Sequence, residues 1–194
     1  MAFQYDADGN LTFDGLRNYQ YDAQNRLVHV TGPEGVTEYE YDALGNRTAT
    51  VFNGQRTEYL LDPTGMVNVV AEQDTAGNLA ARFIRGQCLV ARADGMGQKW
   101  FYDFDAMGSV AALTDSSGSP LNRYSYSPFG EQLAISETIL NPFQFVGQLG
   151  VNIEGNGLAF MRARFFHIAM GSFTSLDPIR LGGGNPNFYR YVAN

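Results

Sequence analysis

Residues Tyr41-Asp42-Ala43-Leu44-Gly45-Asn46-Arg47-Thr48 carry the pattern of a β-hairpin tip. An aspartate at the first corner of a turn accepts hydrogen bonds from the backbone two residues later. A glycine three residues later takes the positive-φ position. Together these features close a type I turn into a bulged hairpin. The stretch therefore predicts two β-strands joined at Asp42–Gly45, with the aromatic Tyr41 ending the incoming strand.

The same Asp-x-x-Gly unit recurs along the chain, and the first four units begin at residues 5, 21, 41 and 61. A short, regular spacing of one motif indicates a repeat protein. In the unit at Asp22, Asn25 takes the place of the glycine, and asparagine tolerates positive φ better than most residues. The glycine-containing units are Asp6/Gly9, Asp42/Gly45, Asp62/Gly65, Asp74/Gly77, Asp105/Gly108 and Asp115/Gly118.

Between the tips, polar and aromatic residues alternate. Thr37–Tyr41 places Thr and two Tyr on one face and the glutamates on the other, and Arg56–Leu61 and Asn122–Tyr126 behave similarly. Period-two alternation predicts half-buried strands. Second turns are predicted at Gly32–Gly35 and Asn53–Gly54. The sequence thus predicts an all-β fold, a meander of stacked antiparallel hairpins that each contact mainly their neighbours.

Composition supports this fold and argues against several classes of function. Hydrophobic residues make up 44% and charged residues 17% of the 194 residues, and there are 22 glycines. That balance favours many short strands joined by tight turns. A net charge of −7 disfavours a nucleic-acid partner. Cys88 has no cysteine to pair with, so we expect a small buried residue there. No apolar run approaches the ~20 residues of a membrane span.

The repeat fades after Gly130, and an irregular tail follows. Glu131–Leu140 lacks Gly and Pro and predicts a short helix or an irregular loop, whereas Asn141–Gln148 predicts a strand. We expect one domain over residues 1–194, with hairpins in 1–130 and a capping tail in 131–194. An open strip of hairpins has unpaired edge strands, which predicts pairing with itself or with another chain.

The repeated units resemble the YD repeats of the Rhs/teneurin family, and the tail resembles the Rhs repeat-associated core segment. Two tail motifs depart from the family's pattern. Members usually have Tyr-Tyr-Asp-Pro where this chain has Phe165–Ile168, and Gly-Arg-Phe where it has Gly171–Phe173. The matching motifs occur in the family's order: Ser127–Glu131, Phe145–Gly147, Arg162–Phe166, Gly171–Phe173, Asp177–Ile179, Gly182-Gly183, Asn187 and Tyr189–Val192.

The resemblance implies a strip that spirals into a hollow shell around a C-terminal toxin domain. Its implied partners are the toxin domain, or another Rhs chain joined by strand-edge pairing, which includes a homo-oligomer. The start of the chain, Met1–Asp6, lacks the basic and apolar regions of a signal peptide. We therefore expect synthesis in a bacterial cytoplasm and export by a contact-dependent secretion system. The relationship to teneurins leaves open a cell-surface adhesion or carbohydrate-contact module.

The resemblance also implies an aspartyl-type self-cleavage, for which Arg164 and Asp177 are the matching residues. Two carboxylates that share a proton serve as base and acid, and the family's second Asp stands in a downstream Asp-Pro-x-Gly-Leu motif. This chain departs from that pattern, because no such motif follows Asp177. The alternative interpretation makes Asp177-Pro178 a turn starter. In that interpretation Arg162 and Arg164 share a strand face and pair with turn aspartates.

Other candidate sites have structural explanations. His29 is expected to be a strand residue, and His167 a core residue rather than a catalytic group or ligand. Asp62-Pro63 is expected to form a hairpin tip rather than a cleavage site. Gly182–Gly184 lacks the Lys-Ser/Thr of a nucleotide loop, and turn chemistry explains the repeated aspartates without calcium. We expect no metal and no cofactor. Three hypotheses remain: a shell segment, an incomplete aspartyl autoprotease, and an adhesion module.

Overall fold

The computed structural model describes residues 3–184 and 186–191. Met1, Ala2, Asn185 and Val192–Asn194 lie outside the described residues, and so does the predicted motif residue Val192. The chain divides into two compact units. The first contains the residues up to Gln55 and those from Glu154 onward, and the second contains Arg56–Ile153. The prediction of one domain over 1–194 stays a prediction.

The first unit holds six strands of a meander and a second, smaller sheet. Each meander strand pairs antiparallel with the next one in the sequence. In the smaller sheet, β16, β17 and β18 are likewise antiparallel. The strands are β1 (Gln4–Tyr5), β2 (Leu11–Phe13), β3 (Asn18–Tyr21), β4 (Leu27–Gly32), β5 (Gly35–Tyr41), β6 (Arg47–Phe52), β16 (Leu158–Met161), β17 (Arg164–His167) and β18 (Ser172–Phe173).

The second unit continues the meander with eight strands, again in sequence order and antiparallel. Three short 3₁₀ turns occur in the described chain, at Gly147–Leu149, Ile168–Met170 and Arg180–Gly183. The all-β prediction is confirmed. The eight meander strands are β7 (Gln55–Asp62), β8 (Asn68–Gln73), β9 (Leu79–Arg85), β10 (Leu89–Ala93), β11 (Lys99–Phe104), β12 (Val110–Thr114), β13 (Pro120–Tyr126) and β14 (Gln132–Ser136). The unit also contains β15 (Asn152–Ile153), which is not part of the meander.

The hairpin tips have the predicted bulged geometry. Oδ1 of Asp42 accepts the N–H groups of Leu44 and Asn46 at 2.9 and 2.8 Å. The N–H of Gly45 donates to the Asp42 carbonyl at 3.1 Å, with Gly45 at φ 86°. The strand register shifts between Glu40 and Tyr41, which is the bulge. The aspartate carboxylate therefore makes the turn. The side-chain amide of Asn46 and these backbone bonds lower the pKa of Asp42.

The alternation of β5 is confirmed, because Thr37 and Tyr39 are buried and Glu38 and Glu40 are exposed. The buried faces form one core in each unit. In the first unit, residues from both sheets meet, with Tyr39 and Phe165 at 4.7 Å between ring centroids. The second core comprises Ala81, Phe83, Leu89, Trp100, Tyr102, Val110, Leu113, Tyr124 and Phe143.

Two predictions for the start of the tail are wrong. Residues 132–136 form strand β14, paired with β13, rather than a helix or loop. Asn141–Gln148 is a series of turns instead of a strand, because Asn141 bonds its side chain to both the N–H and the carbonyl of Phe143. Such local side-chain bonds compete with strand pairing. They leave Phe143 and Phe145 buried at 1% exposure each.

Two single-residue expectations also need correction. Arg162 lies in the turn between β16 and β17 at φ 59°, so it does not share a strand face with Arg164. Cys88 is only partly buried, because it lies in the turn between β9 and β10, where its carbonyl accepts the N–H of Gly86 at 2.9 Å. His29 lies in β4, as predicted. No helix in the described part of the chain is long and apolar enough to span a membrane.

Candidate functional site

Arg164 and Asp177, the two residues matched by motif, form an ion pair in the first unit. Nη2 of Arg164 donates to Oδ2 of Asp177 at 2.9 Å. The Arg164 guanidinium lies 3.7 Å from the centroid of the Phe173 ring and donates from Nη1 to the carbonyl of Phe188 at 3.0 Å. Burial lowers the pKa of Arg164, and the Asp177 carboxylate opposes that shift. These contacts fix the orientation of the guanidinium toward the carboxylate.

Asp177 also starts a turn, as the alternative interpretation predicts. Its Oδ1 accepts the N–H of Ile179 at 3.0 Å, and its carbonyl accepts the N–H of Arg180 at 2.9 Å. The N–H of Asp177 donates to the Phe188 carbonyl at 3.0 Å. The two roles are compatible, because the turn uses one carboxylate oxygen and Arg164 uses the other.

A cavity of about 230 Å³ lies beside this ion pair within the first unit. Its lining combines guanidinium groups and aromatic rings with the hydroxyl side chains of Thr174 and Ser175. Burial lowers the pKa of Arg162. The lining residues that define its chemistry are Tyr21, Arg26, Tyr41, Arg162, Arg164 and Ser175.

The chemistry of this site is that of one oriented carboxylate beside a cavity. Aspartyl-type hydrolysis needs two carboxylates that share a proton. The described residues supply Asp177 and give it one charged partner, Arg164. Within residues 3–184 and 186–191, no group of three or more His, Cys, Asp or Glu side chains is placed to hold a metal ion.

Sequence reasoning missed a second polar cluster, in which the tail reaches the first hairpins. Nε2 of His167 lies 3.0 Å from Oδ2 of Asp14, which also accepts the Tyr19 hydroxyl at 2.7 Å. Nδ1 of His167 accepts the N–H of Met170, so Nε2 carries the proton and donates to Asp14. Both ring nitrogens of His167 are therefore engaged in structural bonds.

Burial alone would raise the pKa of Asp14. Hydrogen bonds from Tyr19, His167 and the backbone of Arg17 and Leu16 overcome this effect and hold the pKa well below its ordinary value. Asp14 is thus an ionised acceptor at the centre of the cluster. The Asp14-Gly15 pair in the sequence is the signal for a turn, but its partner lies 153 positions away and has no local signature.

A third buried pair involves the octapeptide that defines the fold. The Arg47 guanidinium pairs with the Glu154 carboxylate, with side-chain exposures of 2% and 8%. Arg47 also lies 4.0 Å from the centroid of the Phe160 ring. Next to it, the buried Tyr39 hydroxyl accepts the side-chain amide of Asn156 at 2.9 Å. The hairpin and the tail are thereby joined in the interior of the first unit.

The tail also covers one hairpin tip directly. The Tyr189 hydroxyl donates to the carbonyl of Gly9, and the N–H of Leu11 donates to the carbonyl of Thr174, each at 2.8 Å. A Cβ at Gly9 would lie 2.9 Å from Leu176 and 2.8 Å from Tyr189 Oη. Only a glycine fits between the tip and the tail without a shift.

In the second unit, the 141–149 segment covers tips in the same way. Val146 donates its N–H to the Ser109 hydroxyl at 3.0 Å, and Gln148 donates to the carbonyl of Gly108 at 3.0 Å. A Cβ at Gly130 would lie 2.7 Å from the Phe145 ring. Each unit therefore covers some of its hairpin tips with a non-repetitive segment, whereas a Cβ at Gly65, Gly77, Gly97 or Gly118 would meet no atom within 4 Å.

Comparison with known proteins gives matches along the whole chain. The profile of the Teneurin YD-shell family matches residues 1–181. The tRNA3(Ser)-specific nuclease WapA of Bacillus spizizenii is 33% identical over 204 residues, covering 100% of this chain and 9% of that protein. Toxin protein Tse5 of Pseudomonas aeruginosa is 29% identical over 238 residues, covering 99% of this chain and 18% of that protein.

Among solved structures, TcdB2–TccC3 superposes with a TM-score of 0.75 at 19% identity, covering 97% of this chain and 10% of that chain. This likeness shows a shared fold. The chain spans only a small part of each curated relative, 9% of WapA and 18% of Tse5. The adhesion hypothesis is not favoured, because these relatives are a nuclease and a toxin.

Proposed function

The chain belongs to the teneurin YD-shell family, and from this membership we propose that it is a section of shell wall that encloses or closes off a C-terminal toxin domain. The observation that supports the proposal is the closure of the hairpin tips by the tail. Tyr189 on Gly9 and the buried Arg47–Glu154 pair hold the tail against the meander. The tail residues Leu158 and Phe165 thus share one buried core with the hairpin residues Leu11 and Tyr39.

The same proposal implies binding partners and a route of export. We infer that the toxin domain follows this segment in a longer chain, and that the outer edges of the meander pair with further strands, either of an Rhs-type wall or of a second copy of this chain. We propose that the protein is made in a bacterial cytoplasm and leaves by a contact-dependent secretion system. Exposed aromatic residues at the first edge, Phe3 and Tyr5, suit a surface that another strand covers.

Protease protection tests the wall proposal. The chain is expressed with its natural flanking coding sequence, and the downstream domain is challenged with protease with and without mild denaturant. We expect the domain to be protected until the wall unfolds. The variant Tyr39→Ala removes a buried ring from the first core and should lower the denaturant concentration at which protection is lost. A downstream domain that is cut as readily as a free domain would contradict the proposal.

A second activity is supported by one specific observation, the Arg164–Asp177 pair beside a cavity. We propose that Asp177 is one carboxylate of an aspartyl autoprotease whose other carboxylate comes from downstream sequence. The Arg164 guanidinium orients the Asp177 carboxyl group, and the second carboxyl supplies the shared proton. Asp177 then accepts a proton from the water whose oxygen bonds to the scissile carbonyl carbon, and the second carboxyl donates its proton to the amide nitrogen as the C–N bond breaks.

Intact mass of the chain expressed with its downstream sequence tests this activity. A product that ends at one fixed site supports self-cleavage, and Asp177→Asn should abolish that product. Asp103→Asn, an exposed aspartate of β11, is the matched control and should cleave normally. An uncut product from the natural sequence would refute the autoprotease and leave the wall proposal untouched.

A further inference from the structure

Strand β14 is the last strand of the meander in the second unit and is exposed along its whole length. Among the strands of residues 3–184 and 186–191 it pairs with β13 alone, from Arg123↔Ser136 to Tyr126↔Gln132. All five of its residues are exposed, and the apolar Leu133 and Ile135 are 66% and 49% exposed. The outer edge of β14 therefore presents backbone donors and acceptors together with apolar side chains.

This edge lacks the protection that natural edge strands usually have. Short length, charged residues, Lys in particular, and proline all discourage pairing between sheet edges. Gln132–Ser136 contains neither a charged residue nor a proline, and it is five residues long. The opposite edge, β1, has only two residues in the described part of the chain. The two edges thus differ in how readily each accepts another strand.

We propose that β14 pairs antiparallel with β14 of a second copy of this chain, around a twofold axis at Ala134. Along a strand, alternate side chains lie on opposite faces. In this register Leu133 lies opposite Ile135 of the second copy on one face, and Gln132 lies opposite Ser136 on the other. Apolar residues therefore meet apolar residues, and the interface is closed and self-complementary.

The alternative partner for β14 within a second copy is β1, in a head-to-tail arrangement. Two residues of β1 would leave most of the five-residue β14 edge unpaired. That contact would also be heterologous and would continue into open chains of molecules. Pairing of β14 with itself uses the whole edge and stops at a dimer. The inference rests on the edge-pairing part of the proposed function and specifies its strand, partner and register.

Charge sets the strength of this pairing and provides a test of the register. A twofold axis at Ala134 places Glu131 opposite Glu137 of the second copy, twice per dimer. The Glu137 carboxylate is held in place, because it accepts the Tyr124 hydroxyl at 2.6 Å and the N–H of Asn141 at 3.1 Å. Like charges directly opposite each other destabilise a strand pair. Each copy also carries a net charge of −7, so added salt should strengthen the dimer.

Sedimentation velocity of the full chain over a concentration series tests the proposal. We expect a reversible monomer–dimer equilibrium that tightens between about 0.05 and 0.5 M NaCl. Leu133→Lys should raise the dissociation constant at least about tenfold, because it places two charges in the apolar contact. Val90→Lys is the matched control, since Val90 is 44% exposed in the interior strand β10, and it should leave the constant unchanged.

Glu131→Lys tests the register itself. It replaces two repulsive pairs with two attractive pairs, so it should lower the dissociation constant at least about threefold at low salt. Thermal unfolding of each variant checks that it is folded. A monomer at all concentrations and both salt levels would overturn the proposal. A dimer that Leu133→Lys leaves intact, or that Glu131→Lys weakens, would also overturn it. None of these results would alter protease protection of a downstream domain, which tests the wall separately.

Discussion

The two units of the chain use the same hairpins but close them with different chemistry. In the first unit the tail is joined to the hairpins by two buried polar pairs, the ion pair Arg47–Glu154 and the hydrogen-bonded pair Asp14–His167. In the second unit the closing segment inserts Phe143 and Phe145 among aromatic side chains. The difference indicates that the repeat supplies the wall, whereas the non-repetitive segments decide how each part of the wall is sealed.

The largest effect is expected for Phe143→Ala in the second unit. The Phe143 ring packs edge-on against Phe83 at 4.7 Å between centroids and is 1% exposed. Truncation leaves a cavity in a well-packed core and should cost about 4 kcal/mol of unfolding free energy. Urea unfolding measures the loss, which should not depend on salt. Phe101→Ala, at an exposed position of β11, is the control and should cost much less.

Glu154→Ala is the corresponding change in the first unit. It removes the carboxylate that faces the buried Arg47 guanidinium. Breaking a buried pair on one side leaves a charge in the interior, so we expect a loss of about 3 kcal/mol. Glu38→Ala, whose carboxylate is 55% exposed beside His29, is the control and should change little. If Glu154→Ala lowered the free energy of unfolding as little as Glu38→Ala does, the buried ion pair would not distinguish the first unit from the second.

Asp14→Asn should cost about 2 kcal/mol near neutral pH, because Asp14 accepts charge-assisted bonds from Tyr19 and His167. The pKa of Asp14 is lower in the folded state, so its stabilisation is present above the unfolded pKa and is lost as pH falls through the folded pKa. The natural chain should therefore lose stability below about pH 4, and Asp14→Asn should lose less. Urea unfolding at a series of pH values measures how the free energy of unfolding changes with pH in the natural chain and in the variant. The same pH dependence in both proteins would exclude Asp14 as the source of the acid destabilisation.

The smallest contrast compares two glycines with the same backbone conformation. Gly9 and Gly118 both have φ 83°, but only Gly9 faces the tail, whereas a Cβ on Gly118 would meet no atom within 4 Å. Gly118→Ala should cost about 1 kcal/mol from the left-handed conformation alone. Gly9→Ala should cost about 2 kcal/mol, because the added Cβ also displaces Leu176 or Tyr189. Equal losses of unfolding free energy for the two variants would mean that the tail does not pack closely against the tip at Gly9.

The repeated part of the fold was predictable from local sequence. Asp42 and Gly45 sit in one turn, so their spacing carries the whole signal. The tips at Asp94–Gly97 and Ser127–Gly130 have the same hydrogen bonds but were missed. The first fits the Asp-x-x-Gly spacing, as Asp94-Gly95-Met96-Gly97. At the second, serine replaces aspartate, and its hydroxyl accepts the N–H of Glu131 at 3.1 Å.

In the tail, contacts could be predicted only for residues that match a motif of the family. Arg164 and Asp177 were identified by resemblance, and the structure brings them within 2.9 Å. The Asp14–His167 and Arg47–Glu154 pairs join positions 153 and 107 residues apart. No periodicity encodes such pairs, because they arise only when the tail packs on the hairpins. The turns at Asn141–Gln148 were missed for a related reason, since the bonds of the Asn141 side chain override the strand-like composition.

The most direct test of the wall is a cryo-EM reconstruction of the chain expressed with its natural flanking sequence. We predict that the strands of residues 3–136 form part of a continuous wall, with the outer edge of β1 paired to a preceding strand. The downstream domain should appear as density inside that wall. A reconstruction with the outer edge of β1 bare and the downstream domain outside the sheet would contradict the account.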